Sequence, residues 1–133
     1  MFVTEMDGRT VVSSGAVWED IVGYRRAVRR GDHIFVTGTM GMNEDGTFPD
    51  GVSAQTRRAL EIVINAVKAL GGDVTDIVRT RIYLTEAKKW EAVGKVHAEY
   101  FMAIRPATTM VEVSALVAPE AVIEIEADAL LLK

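Results

Sequence analysis

Val122-Ile-Glu-Ile-Glu-Ala-Asp-Ala-Leu130, together with Arg105-Pro-Ala-Thr-Thr-Met-Val-Glu-Val113 before it, decides the fold of this chain. Both pieces alternate with a period of two, the spacing of a strand with one buried face. In the later piece Ile123, Ile125, Ala127 and Ala129 point one way, and Glu124, Glu126 and Asp128 point the other. Three carboxylates cannot enter an apolar core, because each unpaired buried charge costs roughly several kcal/mol or more. The sheet therefore has one apolar face and one that is wet or lined by a ligand. Function is to be sought on the wet face.

Working outward, Val52 to Leu70 repeats Ala59, Val63, Ala66, Val67 and Leu70 at helical spacing and is closed by Gly71-Gly72. Asp76 to Leu84 alternates as a strand, with Val78, Thr80, Ile82 and Leu84 opposite Ile77, Arg79, Arg81 and Tyr83. A second helix is predicted over Lys88 to Ala103, its packed face formed by Trp90, Val93, His97, Tyr100 and Phe101. Pro106 ends it. A hairpin with strands near 24–29 and 32–39 turns at Arg30-Gly31, where glycine supplies positive φ, and Asn43-Glu-Asp-Gly46 reads as a further turn. The N-terminal arm, 1–22, shows only short extended pieces at Val11-Val12 and Val17-Trp18. Trp18 and Glu19 either fold over a cleft or cover a sheet edge. The order β-β-α-β-α-β-β places two helices on one face of a mixed sheet, an α+β domain spanning 1–133. Its bare face needs company.

Composition narrows the function. A chain of 133 residues, 49% of them hydrophobic, makes one domain with an adequate core. The absence of cysteine excludes disulfides, thiolate catalysis and cysteine–zinc sites, and fits a reducing compartment. The N-terminus lacks the basic and apolar regions of a secretory signal, and no apolar run reaches the roughly 18 residues of a membrane span. A cytoplasmic protein with no membrane partner is expected. A net charge of −4 weighs against nucleic acid, and the basic cluster Tyr24-Arg-Arg-Ala-Val-Arg-Arg-Gly31 reads as a solvated strand and turn. His33 reads as a strand surface residue and His97 as a hydrogen-bonded core or interface residue. Far apart in sequence, they suggest no metal site. Gly38-Thr-Met-Gly41 lacks the Lys-Ser/Thr of a phosphate loop, and the Asn43–Gly46 turn lacks the first acidic ligand of a calcium loop. There is no Gly-x-Ser-x-Gly elbow.

Pro106-Ala-Thr-Thr-Met-Val-Glu-Val113 followed by Ile123-Glu-Ile-Glu-Ala127 resembles the C-terminal pattern of the YjgF/RidA family. The resemblance extends from about Tyr24 to Leu131. It includes Tyr24 itself, Val36-Thr37-Gly38-Thr39 in place of the family's Ser-Gly-Gln stretch, Gln55-Thr56, and Asp76-Ile77-Val78. It implies a homotrimer whose sheets close into a barrel, with ligand clefts between subunits. It also implies hydrolysis of reactive imines and enamines without a metal or organic cofactor.

Carried over residue by residue, the resemblance makes Glu124 the holder of the hydrolytic water, helped by the backbone carbonyl of Met110. Tyr24 lines the pocket, and Thr37 and Gly38 form its floor, where a missing Cβ lets a ligand approach backbone. Gly94, Thr108 and Thr109 complete the substrate-binding set. Thr108 stands where the family has an arginine for the substrate carboxylate, and Gly94 where deaminases commonly have asparagine. Arg105 lies at the helix end and does not replace the missing arginine. Arg25 or Arg26 can supply a positive charge, but the sequence does not fix their direction. The leading expectation is a hydrolase whose substrate differs from the usual 2-imino acids. The alternative is a non-catalytic metabolite-binding trimer using the same cleft. The family's older description as a translation-inhibiting ribonuclease is disfavoured by the acidic balance and the lack of a catalytic histidine pair. Each residue also has a plain reading: Glu124 as one of a polar row paired across a subunit boundary, Tyr24 as hairpin packing, and Thr37 and Thr108 as ordinary strand residues.

Overall fold

In the computed structural model, which describes residues 1–131, the last strand of the chain lies inside the sheet. The strands are β1 (Phe2–Met6), β2 (Arg9–Ser13), β3 (Ala27–Arg30), β4 (His33–Met40), β5 (Ile77–Leu84), β6 (Ala107–Glu112) and β7 (Ile123–Leu130), ordered β1-β2-β3-β4-β7-β5-β6. β7 runs antiparallel to both β4 and β5, whereas β5 and β6 are parallel. Helix α1 (Val52–Ala69) links β4 to β5, and α2 (Trp90–Phe101) links β5 to β6. α1 packs on β4, β7 and α2. The sequence-predicted α+β class, a mixed sheet with two helices, is observed.

Alternation along β7 does what the sequence implies. Ile123, Ile125, Ala127 and Ala129 are buried, and Glu124, Glu126 and Asp128 are half-buried on the other side. The apolar side meets Ala59, Leu60, Val63, Ala66 and Val67 of α1 in one core shared with Ile34, Val36 and Ile82. Gln55 ties this core to the approach of β7. It is buried, its Nε2 donates to the carbonyls of Pro49 and Glu120, and its Oε1 accepts from Val122 N at 2.9 Å. Every polar atom of that amide is satisfied, so burying it carries little penalty. No helix among the described residues is long and apolar enough to cross a membrane.

Three details differ from expectation. β5 slips against β7 between Ile77 and Arg79, so Ile77 is buried and Val78 exposed before the alternation of Thr80, Ile82 and Leu84 resumes. A bulge shifts side-chain phase by one residue, which periodicity alone does not reveal. The second helix is shorter than predicted, starting at Trp90 after a 3-10 turn at Ala87–Lys89. Trp90, at its first residue, is 57% exposed, while Val93, Val96 and Phe101 carry the packing. The arm is also more ordered than its signals suggest. β1 and β2 form a hairpin across Asp7-Gly8, both at positive φ, and β2 pairs with β3.

Gly41 abuts the same Gln55. A Cβ built there would collide with the Gln55 backbone carbonyl, which the first turn of α1 holds in place. Gly41→Ala is therefore expected to destabilise the protein by about 1–3 kcal/mol or more. Denaturant unfolding checks this; an unchanged midpoint would show that α1 can shift to make room.

Candidate functional site

A cleft of about 720 Å³ opens where β4 loses register with β7, and Trp18, Tyr24, Arg26, Thr37, Gly38 and Glu124 are among the residues lining it. The β4–β7 ladder slips between Val36 and Thr39, leaving Thr37 and Gly38 out of regular pairing. The freed groups find other partners. Thr37 N donates to the Arg26 carbonyl at 3.0 Å and Thr37 Oγ1 to that of Arg25 at 2.7 Å. Arg26 Nη1 donates to the carbonyl of Gly38 and to Thr39 Oγ1, each at 3.0 Å. The bulge is thus braced from β3 and its approach, and it re-aims the strand at the cleft.

Glu124 lies directly over Gly38. An added Cβ at Gly38 would sit 2.5 Å from Glu124 Oε2, so glycine is what allows the carboxylate this position. The three carboxylates of β7 fare differently. Glu126 Oε1 accepts from the Tyr83 hydroxyl at 2.7 Å, and Asp128 Oδ2 accepts from Arg81 Nη1 at 3.2 Å. Arg81 also reaches Glu126 Oε1 at 3.8 Å. The Glu124 carboxylate has no hydrogen bond and no ion pair within 4.0 Å among the described residues. Burial raises its pKa above the ordinary 4.5, with Arg26 opposing and Glu126 reinforcing the shift.

The arm answers the Trp18-Glu19 question both ways. The β1–β2 hairpin covers the edge of β3, and Trp18 lines the cleft. Behind Trp18 a single π-turn, Glu19–Gly23, ends with Tyr24 N donating to the Glu19 carbonyl at 3.0 Å, which sets where Tyr24 begins. The Glu19 side chain is only 1% exposed, and its Oε2 accepts from Ser14 N and Ser14 Oγ. No periodic signal marks this turn. Arg26 was legible only as a charge of unknown direction. Its place is set by the Gly38 carbonyl and Thr39 hydroxyl that hold its Nη1, while Arg25 pairs with Asp20 at 3.3 Å.

The remaining sequence-predicted residues lie elsewhere. Met110, Thr108 and Thr109 are on β6, the sheet's outer strand, and Gly94 is on α2. None lines the cleft of this chain. Thr108 stands opposite Thr80 on β5, their hydroxyls 2.8 Å apart, and Thr80 Oγ1 lies 2.9 Å from His97 Nε2. Burial lowers the His97 pKa, which favours the neutral ring in this chain of hydroxyls. His97 also packs on the Phe101 ring at 4.5 Å, as a hydrogen-bonded core histidine should. Met110 faces Ile82 in the ladder and Thr109 faces Arg81. One chain thus brings Tyr24, Thr37, Gly38 and Glu124 together, and holds Gly94, Thr108, Thr109 and Met110 apart from them.

The raised pKa of Glu124 has a defined consequence for stability. Below the unfolded value near 4.5 both states are protonated and there is no penalty. As pH rises through the higher folded value, the unfolded state releases its proton more readily, and the folded state loses stability until both are ionised. Glu124→Gln is therefore expected to melt above the wild type at neutral pH, with the gap closing in acid. Thermal melts across that range check it; a lower melting temperature at neutral pH would mean the carboxylate is net stabilising.

Comparison with known proteins follows the same lines. The family model described as Endoribonuclease L-PSP matches residues 8–131. A crystal structure of a member of the highly conserved YjgF/YER057c/UK114 family from Mycobacterium tuberculosis is similar, at 50% identity over 92% of this chain and 99% of that one, with a TM-score of 0.86. The YjgF gene product of E. coli superposes with a TM-score of 0.80 at 30% identity, covering 89% of this chain and 92% of its own. An uncharacterized protein of Streptomyces coelicolor is 32% identical over 119 residues, 89% of each chain. With two-sided coverage of this order and one family model spanning nearly the whole sequence, the chain belongs to the YjgF/YER057c/UK114 family.

Proposed function

We propose that this protein is a small-molecule hydrolase acting on imines, enamines or related reactive metabolites other than the usual 2-imino acids. It works in the cytoplasm, in clefts between the subunits of a homotrimer. The observation that carries the reading is Glu124. It alone of the β7 carboxylates has no partner, it is half-buried, and it overlies a glycine in a cleft. Unpaired buried carboxylates are costly, so one kept at a cleft is a candidate for proton transfer.

The chemistry asks little else. Once its nitrogen is protonated, a C=N carbon is electrophilic. Glu124, as carboxylate, takes a proton from water while the water oxygen bonds to that carbon. Glu124 then returns that proton to nitrogen, and as the C–N bond breaks the carbinolamine hydroxyl gives its proton to the carboxylate, leaving a carbonyl compound and ammonia. Positioning and general base catalysis suffice for such a step, the latter typically contributing 10²–10⁴-fold.

The intersubunit cleft is supported by the far residue set. Glycine in a helix costs about 1 kcal/mol relative to alanine, yet a Cβ at Gly94 would meet nothing within 4 Å in this chain. The chain's own packing does not explain that glycine; the approach of a ligand or a second copy does. Thr108 offers a hydroxyl rather than a charge on β6, so the carboxylate of a 2-imino acid finds no arginine at the family's position, which favours a substrate whose polar groups sit elsewhere.

The test uses imines generated in place, from amino acids by an amino-acid oxidase and from amines by an amine oxidase. Semicarbazide traps what survives, and light scattering reports the assembly. Saturable hydrolysis is expected, falling about 10²-fold or more in Glu124→Ala. Gly38→Ala is expected to melt like the wild type yet lose most activity, because the added methyl displaces only the Glu124 carboxylate. Thr108→Arg is expected to raise turnover of 2-imino acids. Saturable binding by an intact trimer with no turnover of any imine would replace this reading with the non-catalytic one.

A further inference from the structure

We infer that Arg26 is the ligand-binding cation of this cleft, and that the molecule bound there carries a small oxyanion, a carboxylate or a phosphate. The inference rests on the reading of this cleft as the ligand site and adds the chemical class of the ligand. It begins with a charge that has no counter-charge in contact. Arg26 is 7% exposed, yet no carboxylate among the described residues comes within 4.0 Å of its guanidinium. The arginines around it are neutralised: Arg25 pairs with Asp20 at 3.3 Å, and Arg58, at the same cleft, with Glu61 at 3.6 Å. A buried cation without a partner is costly, and an anion arriving from solvent removes that cost.

The guanidinium is also geometrically ready. Of its donors only Nη1 is engaged, with the Gly38 carbonyl and Thr39 Oγ1, each at 3.0 Å. These two bonds fix the plane of the fork. Nε and Nη2 make no hydrogen bond within the described chain, and Arg26 lines the cleft. The Tyr24 ring, 5.8 Å from the guanidinium carbon, holds the group from one side without neutralising it. A planar fork with free donors matches a carboxylate or phosphate, which a lysine does not do in the same way.

Glu124 supplies an internal control. It shares the cleft with Arg26 and feels its charge, so an anion on Arg26 and an ionised Glu124 oppose each other. By linkage, neutralising Glu124 must tighten the anion. A bracing role for Arg26 alone predicts no such coupling.

The experiment is an amide ¹H–¹⁵N titration of the full chain in its native assembly, following Gly38 and Tyr24, with sodium acetate, inorganic phosphate and neutral acetamide as probes. Acetate or phosphate is expected to saturate, naming the oxyanion, while acetamide does not. Arg26→Gln is expected to weaken that probe roughly ten- to hundredfold, the loss of charge-assisted bonds. Arg26→Lys is expected to fall between, and Glu124→Gln to bind several-fold tighter than the wild type. Should Arg26→Gln fail to fold, the lysine variant and the Glu124→Gln coupling decide. The inference is overturned if neither anion saturates, if acetamide binds as well as acetate, or if the folded Arg26 variants bind unchanged. Persisting imine hydrolysis alongside any of those results would overturn only the oxyanion site. Loss of Glu124 dependence in hydrolysis would instead overturn the catalytic reading and leave the anion result standing.

Discussion

β7, made from the last residues of the described chain, fills the slot between β4 and β5, and the rest of the sheet depends on that insertion. Two antiparallel ladders hold it, and Gln55 fixes its approach through Val122. A central strand has no free edge, so its side chains have only two destinations. Ile123, Ile125, Ala127 and Ala129 take the helix-covered side, which forces Glu124, Glu126 and Asp128 together onto the other. The carboxylate row is therefore a geometric consequence of burying the apolar one.

What differs along the row is the neighbouring strand. β5 repeats the same period and places Arg81 and Tyr83 beside Asp128 and Glu126, which satisfies both. Near Glu124 the other neighbour, β4, is bulged and offers Gly38. The bulge thus converts one position of a regular ladder into a cleft with an unpartnered acid. It is braced by Arg26 instead of by ladder bonds. Stability is given up locally and restored by bonds from the side chain of Arg26, just ahead of β3, to the Gly38 carbonyl and the Thr39 hydroxyl, a common arrangement at functional sites.

The alternation of β7, the extent of α1 and the two-sided character of the sheet were legible, because burial imposes a period on side chains. Features set by backbone pairing alone were not. β1 is exposed along its whole length, so its pairing with β2 leaves no period to read. The bulge at Ile77–Arg79 reverses the predicted facing of Val78 without any change in composition. In the site, Tyr24, Thr37, Gly38 and Glu124 were reached through the family pattern, and the structure places them around one cleft. Arg26 could not be aimed from its sequence, since it sits in a run of arginines and its direction depends on the Gly38 carbonyl and Thr39 hydroxyl at the β4 bulge.

Where the cation sits also bears on how binding and assembly are coupled. A charge at the Thr108 position would lie on β6, two strands from β7, and could meet a ligand over Glu124 only by reaching in from another copy. Anion binding would then require the assembled protein. Thr108 instead spends its hydroxyl on Thr80, whose own hydroxyl is held by His97, so that edge offers hydrogen bonds without charge. Arg26 stands on the same side of the cleft as Gly38 and in the same chain as Glu124. An oxyanion held there draws its charge complement from a single subunit. A neighbouring copy would then contribute shape and solvent exclusion, and the surfaces that set assembly would be freer to change without altering which charge the ligand must carry.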